Sequence, residues 1–470
     1  MDYKQAWLKY SEAERKELDS LCKDYIDFLS SHKSEREFAK GSIECAENAG
    51  YKSLAEAIKN NEALKPGDKV WACHKNKAVA LVQIGKNNIE EGMNILGAHI
   101  DSPRLDIKQN PLYEKCEFAM MDTHYYGGIK KYQWVTLPLA IHGVIALKNG
   151  ETINVVVGED ENDPVFCVPD ILIHLGKEQL KKNADSVIEG EDLDILVGNE
   201  TTKELKDDKE VKNAIKQHTL NLLKEKYGIE EEDFLSAELE VFPAGRAREM
   251  GFDRSMILAY GQDDKVCAYP SLLAQLNVAT NGEVPERTCV CFLSDKEEIG
   301  SVGASGMQSA FFENTIAEIC KLLGKDDAIS AKRALSNSKM LSSDVNAGVD
   351  PLYESVFEEK NASFCGRGLV FSKFTGSRGK SGSNDANAEF VAEIRKIMDD
   401  SNITYQFAEL GKVDAGGGGT IAYITANMGM DVIDSGVAVL SMHSPWEVTS
   451  KCDIYEAYRG YLAFLQKAGL

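Results

Sequence analysis

Apolar residues recur along the chain in distinct rhythms. Ser11 and Glu14 form a capping-box pair, and Leu18, Cys22, Tyr25 and Leu29 follow at helical spacing, which predicts an amphipathic helix packed on a core. From about Lys69 the text turns into short apolar runs, VWACH, AVALVQIG and NILGAHID, which read as strands. The texture changes again between about Lys108 and Glu240. There VIALK, Asn149-Gly150 and TINVVVG predict a hairpin, because Asn-Gly suits a tight turn with positive φ. A lysine- and glutamate-rich stretch follows, containing the amphipathic segment VKNAIKQHTLNLL. Beyond Phe252 apolar runs alternate with helical segments, as in an α/β sheet. The chain closes on a capped amphipathic helix expected to begin at Asp453, with Glu456 at its third position. The expectation is an α/β fold of two domains, residues 1–107 with 241–470 and an inserted, partly antiparallel 108–240.

Composition narrows the picture without changing it. The chain has 470 residues, too many for one simple core, with 43% hydrophobic and 27% charged residues, which suits a folded globular protein. No stretch approaches the roughly 20 consecutive apolar residues of a membrane span. The start, MDYKQAWLKYSEAERKELD, is charged throughout and lacks an apolar signal core. Eleven cysteines, an odd number with several inside apolar runs such as TCVCFL, read as reduced core thiols, so the expected compartment is the cytoplasm. A formal net charge of −22 argues against nucleic acid or an anionic membrane as partner.

Four segments share one design, an apolar run followed at once by acidic residues or histidine: MNILGAHIDSP, CVCFLSDKEEIGS, KMLSSDVNAG and VAVLSMHSPWE. Ligands of open α/β sheets bind beyond the carboxyl ends of strands, so four such ends can converge on one metal site. Within them, His99 is a candidate ligand whose free ring nitrogen Asp101 can grip, fixing the tautomer. The Glu297-Glu298 pair reads either as a charged helix start or as one metal ligand and one proton acceptor. Asp344 reads equally as a helix N-cap, and His443 equally as a satisfied core histidine. A further carboxylate comes from YGQDDKVCAYPSLLAQL, where Asp263 and Asp264 open a segment with helical spacing at Val266, Tyr269, Leu273 and Leu276. A carboxylate there can bridge two ions about 3.5–4 Å apart. The glycine run from Asp414 to Thr420 lacks the lysine and spacing of a phosphate-binding loop and is expected to let backbone approach the active-site floor before a helix.

GAHIDSPRLDIK, SDKEEIGS, SSDVNAG, DAGGGGTIA and LSMHSPWE together resemble the aspartyl aminopeptidase family of dinuclear zinc peptidases, related to the tetrahedral aminopeptidases. VPDILIHL resembles a further family segment in the inserted domain. The resemblance implies a mixed-sheet zinc-exopeptidase catalytic domain with an inserted, largely antiparallel β dimerisation domain. It implies two zinc ions per subunit, one on His99 and Asp344, the other on Glu298 and His443, with Asp263 bridging. Manganese or cobalt also suits such a donor set. Asp101 would orient His99, Glu297 would be the general base, and His174 would help stabilise the oxyanion in a neighbouring subunit. Substrates would be peptides with a free N-terminus, acidic residues preferred, and the assembly a homo-oligomer, a tetrahedral dodecamer. Lys373 is the nearest match to the family's substrate-binding lysine, with Arg378 and Lys380 beside it. The sequence departs from the family after Asp344, where Val345, Asn346 and Asp350 to Tyr353 replace the usual Ala-His and His-Pro-Asn-Tyr. Two other functions remain compatible with the residues. One is a dinuclear zinc amidase or carboxypeptidase acting on acylated amino acids; the other is a non-catalytic oligomeric binding protein.

Overall fold

The helix that Ser11 and Glu14 predict runs from Glu12 to Ser31 in a computed structural model that describes residues 4–201, 212–376 and 379–470. Both halves of its capping box form, and Leu18, Cys22, Tyr25 and Leu29 are buried on one face. The described residues fall into two compact units. The first comprises Met1–Ser102, Ala247–Met442 and Glu447–Leu470; the second comprises Pro103–Arg246 with His443–Trp446.

A nine-stranded mixed sheet forms the centre of the first unit. Its middle consists of four neighbouring parallel strands, Thr288–Ser294, Met93–His99, Lys339–Ser343 and Asp431–Gly436. Thr288–Ser294 and Met93–His99 are buried at every position because both of their faces are covered. On one face Leu96, Leu293, Leu341 and Ile433 pack with residues of the helices Glu12–Ser31, Gln262–Thr280 and Lys451–Lys467. On the other, Ile95, Phe292, Met340 and Val432 pack with the helices Phe311–Leu322 and Ser330–Ser336. The chain leaves this sheet at Gly436, where a side chain has no room: an added Cβ would lie 1.7 Å from the Asp344 carbonyl oxygen. Past that point Ala438–Leu440 joins a separate five-stranded sheet, pairing with Asn346–Ala347 and Glu447–Ser450. The four segments of common design therefore do not end in one sheet; three do, and the run before His443 belongs to another.

The second unit is built on a six-stranded antiparallel sheet. Its hairpin pairs Leu139–Ala146 with Thr152–Val157, and Gly150 takes the positive φ, 91°, that the tight turn demands. The change of texture near Lys108 lies inside the strand Arg104–Lys115. The helix Ala214–Tyr227 carries most of the amphipathic segment, and Val211 lies outside the described residues. After Val168 the chain forms turns, and Ile171, Leu172, Ile173 and Leu175 are 48 to 69% exposed.

The last helix begins earlier than expected, at Lys451, with Ser450 as its N-cap. Asp453 lies inside its first turn and is buried, because its carboxylate serves a distant loop: it accepts the Gly366 and Gly368 N–H groups at 2.6 and 2.7 Å. Asp453→Ala would leave both amides buried without an acceptor, so it should lower stability by about 2–4 kcal/mol, read as a drop in the urea midpoint with an unchanged m-value.

Candidate metal centre

Parallel register brings the first candidates together. In the strands Thr288–Ser294 and Met93–His99, Ser294 lies opposite His99; one strand further, Ser342 lies opposite Gly97. Because side chains alternate along a strand, His99 projects from the face that also carries Ile95, and Asp344 follows two residues after Ser342 on that side. The residues after Ser294 turn back through Lys296, which adopts a left-handed φ of 68°, into the short 3-10 turn Glu297–Ile299. Carboxylates and an imidazole thus collect beyond the carboxyl ends of three adjacent strands, where open α/β sheets bind their ligands.

His99 is 1% exposed and sits at the centre of this group. Its Nδ1 lies 3.0 Å from the Asp101 carbonyl oxygen and 3.3 Å from Asp101 Oδ1, so Nδ1–H is the donor and Nε2 points the other way. Nε2 faces three carboxylates, with Asp263 Oδ1 at 3.2 Å, Glu297 Oε2 at 3.8 Å and Asp344 Oδ1 at 3.9 Å. Asp101 does more than hold the ring. Its Oδ1 accepts the Glu297 N–H at 3.1 Å and its Oδ2 accepts the Glu298 N–H at 3.2 Å. One buried carboxylate therefore orients the histidine and anchors the turn bearing both glutamates.

The aspartate doublet divides. Asp263 presents its carboxylate to the His99 ring, whereas Asp264 Oδ2 accepts the His99 backbone N–H at 3.3 Å. Neither residue is helical in φ and ψ, the peptide bond between them is cis, and regular helix starts only beyond Asp264.

The electrostatics favour a cation. Burial, then repulsion from Glu297, drives the Asp344 carboxyl well above the usual carboxylate range, and burial with repulsion from Asp263 does the same to Asp264. Burial opposes a charged His99, yet the hydrogen bonds to Asp101 and Asp263 and the Glu297 charge outweigh it and raise the imidazole. Two sets of donors, His99 with Asp263 and Asp344, and His99 with Glu297 and Glu298, each have ligand atoms within 4.8 Å of one another. Imidazole nitrogen and carboxylate oxygen are donors that zinc accepts, and a divalent ion would relieve the mutual repulsion. The residues fit a metal.

Each of the remaining candidates has its own local surroundings. His443 groups with the second unit, where its Nδ1 lies 2.8 Å from the Gly128 carbonyl oxygen, the same Nδ1-to-carbonyl arrangement as at His99. His174 is an exposed residue of the apolar turns in that unit. Lys373 is exposed and follows the strand Leu369–Ser372. Lys380 pairs with Asp385 at 2.9 Å, and Arg378 lies outside the described residues. In the glycine run, Thr420 Oγ1 donates to Asp434 Oδ1 at 2.6 Å, and burial pushes the Asp434 carboxyl up to about 7. Asp264 and Asp434 were not singled out for these contacts from the sequence. A partner far along the chain leaves no local pattern, and the adjacency of the doublet was the only signal.

Residues 28–465 match the family described as "Aminopeptidase I zinc metalloprotease (M18)". The chain belongs to the M18 family of zinc aminopeptidases. It is 56% identical over 464 residues to a probable M18 family aminopeptidase 1 of Clostridium acetobutylicum, covering 99% of this chain and 98% of that protein. It is also similar to the crystal structure of an M18 aminopeptidase from Thermotoga maritima, with TM-score 0.93, 41% identity, and coverage of 99% and 100%. A structure described as the S. cerevisiae mApe1 dodecamer shares the fold at TM-score 0.76 and 20% identity, covering 96% of this chain and 97% of that one. The chain is therefore a zinc metallopeptidase acting as an aminopeptidase, not the amidase or the non-catalytic binding protein that its residues alone left open. No helix among the described residues is long and apolar enough to cross a membrane.

Proposed function

We propose that this M18 aminopeptidase removes N-terminal residues, acidic ones preferentially, with two zinc ions per subunit. His99 and Asp344 would hold one ion, Glu298 and His443 the other, and Asp263 would bridge them. The observation that carries this reading is the set of three carboxylates facing one buried imidazole nitrogen. Bound zinc lowers the pKa of water and polarises the scissile carbonyl. Glu297 takes the proton of the attacking water at its carboxylate and delivers it to the departing nitrogen. Its backbone anchor on Asp101 supports that role, since a base must be held at a fixed distance from the reacting atoms. Asp101 keeps the His99 proton on Nδ1, which leaves Nε2 to bind metal. Manganese or cobalt would also suit these donors. Eleven free thiols suit the cytoplasm, the compartment we assign.

Oligomer formation belongs to the same proposal. Ile171, Leu172, Ile173 and Leu175 flank His174 and are all exposed, a concentration of apolar surface that favours a partner. We assign that partner as a second copy of this chain, within a dodecamer, and His174 as the residue that reaches a neighbour's site to stabilise the oxyanion. His174→Ala should lower kcat about 10²-fold or more with metal content unchanged, and size-exclusion chromatography should show an assembly well above one chain. Unchanged turnover, or full activity of a monomer, removes this part.

Lys373 is exposed and positively charged on an acidic chain, which supports its contact with an acidic N-terminal side chain. Lys373→Ala should raise KM for aspartyl and glutamyl substrates severalfold and leave leucyl substrates unaffected. Leucyl substrates cleaved as well as acidic ones by the native enzyme would eliminate the preference.

The decisive comparison is between the two glutamates. Glu297→Gln preserves shape but cannot take a proton, so it should retain metal and lose about 10²–10⁴-fold in kcat, roughly 3–5 kcal/mol of barrier. Glu298→Gln should instead weaken one metal site, with excess zinc restoring part of the activity. Metal content measured beside turnover distinguishes the two; the opposite pattern reverses the assignments.

A further inference from the structure

Three side chains from the sequence motifs have no part in the reading above: Ser102 of GAHIDSP, Lys265 of YGQDDK and Glu447 of LSMHSPWE. Each is 2% exposed or less. Ser102 and Glu447, far apart in the chain, both bind the main chain of Asp263, and Lys265 binds Ser102. Glu447 Oε2 accepts the Asp263 N–H at 3.1 Å. Ser102 Oγ donates to the Asp263 carbonyl oxygen at 2.7 Å, and Lys265 Nζ donates in turn to Ser102 Oγ at 2.7 Å. The preceding residue is tied to the same strand, since Gln262 Nε2 donates to the Glu447 carbonyl oxygen at 2.6 Å.

These contacts matter because regular helix does not hold Asp263. Its φ and ψ of −78° and 107° are extended, so side chains take over at both ends of the residue. Burying a carboxylate, a hydroxyl and an ammonium is unfavourable unless each is hydrogen-bonded, and here the carboxylate and hydroxyl bind the N–H and the carbonyl of one residue while the ammonium backs the hydroxyl. The carboxylate of Asp263 stands 3.2 Å from His99 Nε2, so any drift of the Asp263 main chain moves the carboxylate against the imidazole.

We propose that Ser102, Lys265 and Glu447 are positioning residues that clamp the Asp263 main chain and thereby set the affinity of the centre for zinc. The inference rests on Asp263 being a metal ligand. Groups of this kind around metal sites typically contribute 10–100-fold in affinity. The effect acts through the placement of Asp263 and not through contact with substrate.

The test is zinc affinity of the full-length protein, stripped of metal and titrated in competition with a chelator of known strength, alongside thermal melts of the metal-free protein. Ser102→Ala and Glu447→Leu should each weaken zinc binding 10–100-fold, whereas Glu447→Gln, which keeps an acceptor oxygen for the Asp263 N–H, should stay within about threefold of native. A purely architectural role predicts lower metal-free melting temperatures with native zinc affinity, and that result overturns the proposal. Native-like affinity in all three variants overturns it equally. If Glu447→Leu does not fold, Ser102→Ala, which removes one hydroxyl, decides alone. Asp263→Asn serves as the control: if it binds zinc like the native protein, the assignment of Asp263 as a ligand fails, a different outcome from intact loss in Asp263→Asn with no loss in the clamp variants.

Discussion

Like charges held close in a dry environment repel strongly, and the arrangement around His99 is organised by that constraint. The carboxylates of Asp263, Glu297 and Asp344 all lie within 3.9 Å of one imidazole nitrogen. Left to themselves they would separate or take up protons, as the raised Asp344 carboxyl indicates. The fold prevents separation by fixing each from behind. Asp344 follows a strand locked in parallel register, Glu297 hangs from Asp101 through its backbone, and Asp263 is gripped at both its N–H and its carbonyl. Neutralisation is then left to a cation, which is the physical reason a metallopeptidase can be recognised in a structure with buried acids facing a histidine.

The register of the central strands is the second condition. A one-residue slip between Met93–His99 and Lys339–Ser343 would turn His99 or Asp344 to the opposite face. Continuous apolar burial on both faces opposes such a slip, with Ile95 and Met340 on one side and Leu96 and Leu341 on the other. The parts of the sheet that look least functional thus determine where the ligand candidates project.

Much of this architecture was legible in the sequence, and what was illegible had a common physical character. The helix Glu12–Ser31 could be read because its capping box and apolar stripe are local, and the strand ending at His99 because Ile95 to Ala98 form a short apolar run. The α/β class followed from the alternation of such elements. By contrast, the run VAVL before His443 could not be assigned to its sheet, because the chain passes from one sheet to another at Gly436, where crowding against the Asp344 carbonyl, and no periodicity, sets the break. Asp453 looked like a helix cap because aspartate favours that position, but its carboxylate binds Gly366 and Gly368, more than eighty residues away. For the same reason the doublet Asp263-Asp264 could not be resolved by inspection: which carboxylate meets His99 depends on a local backbone path that adjacent identical residues do not encode. The candidate site was visible as a list of residue types at strand ends, while the contacts that hold those residues in place are long-range and leave no local pattern.

Asp101 grips the His99 ring with the same carboxylate that holds the Glu297 and Glu298 amides. Thermal jitter in that carboxylate is therefore passed to all three residues in common. Displacements that would be independent errors on separate supports become shared ones, and they largely cancel in the distances between imidazole and glutamates. What the shared carboxylate holds constant is therefore a set of relative distances, not an absolute position in the sheet.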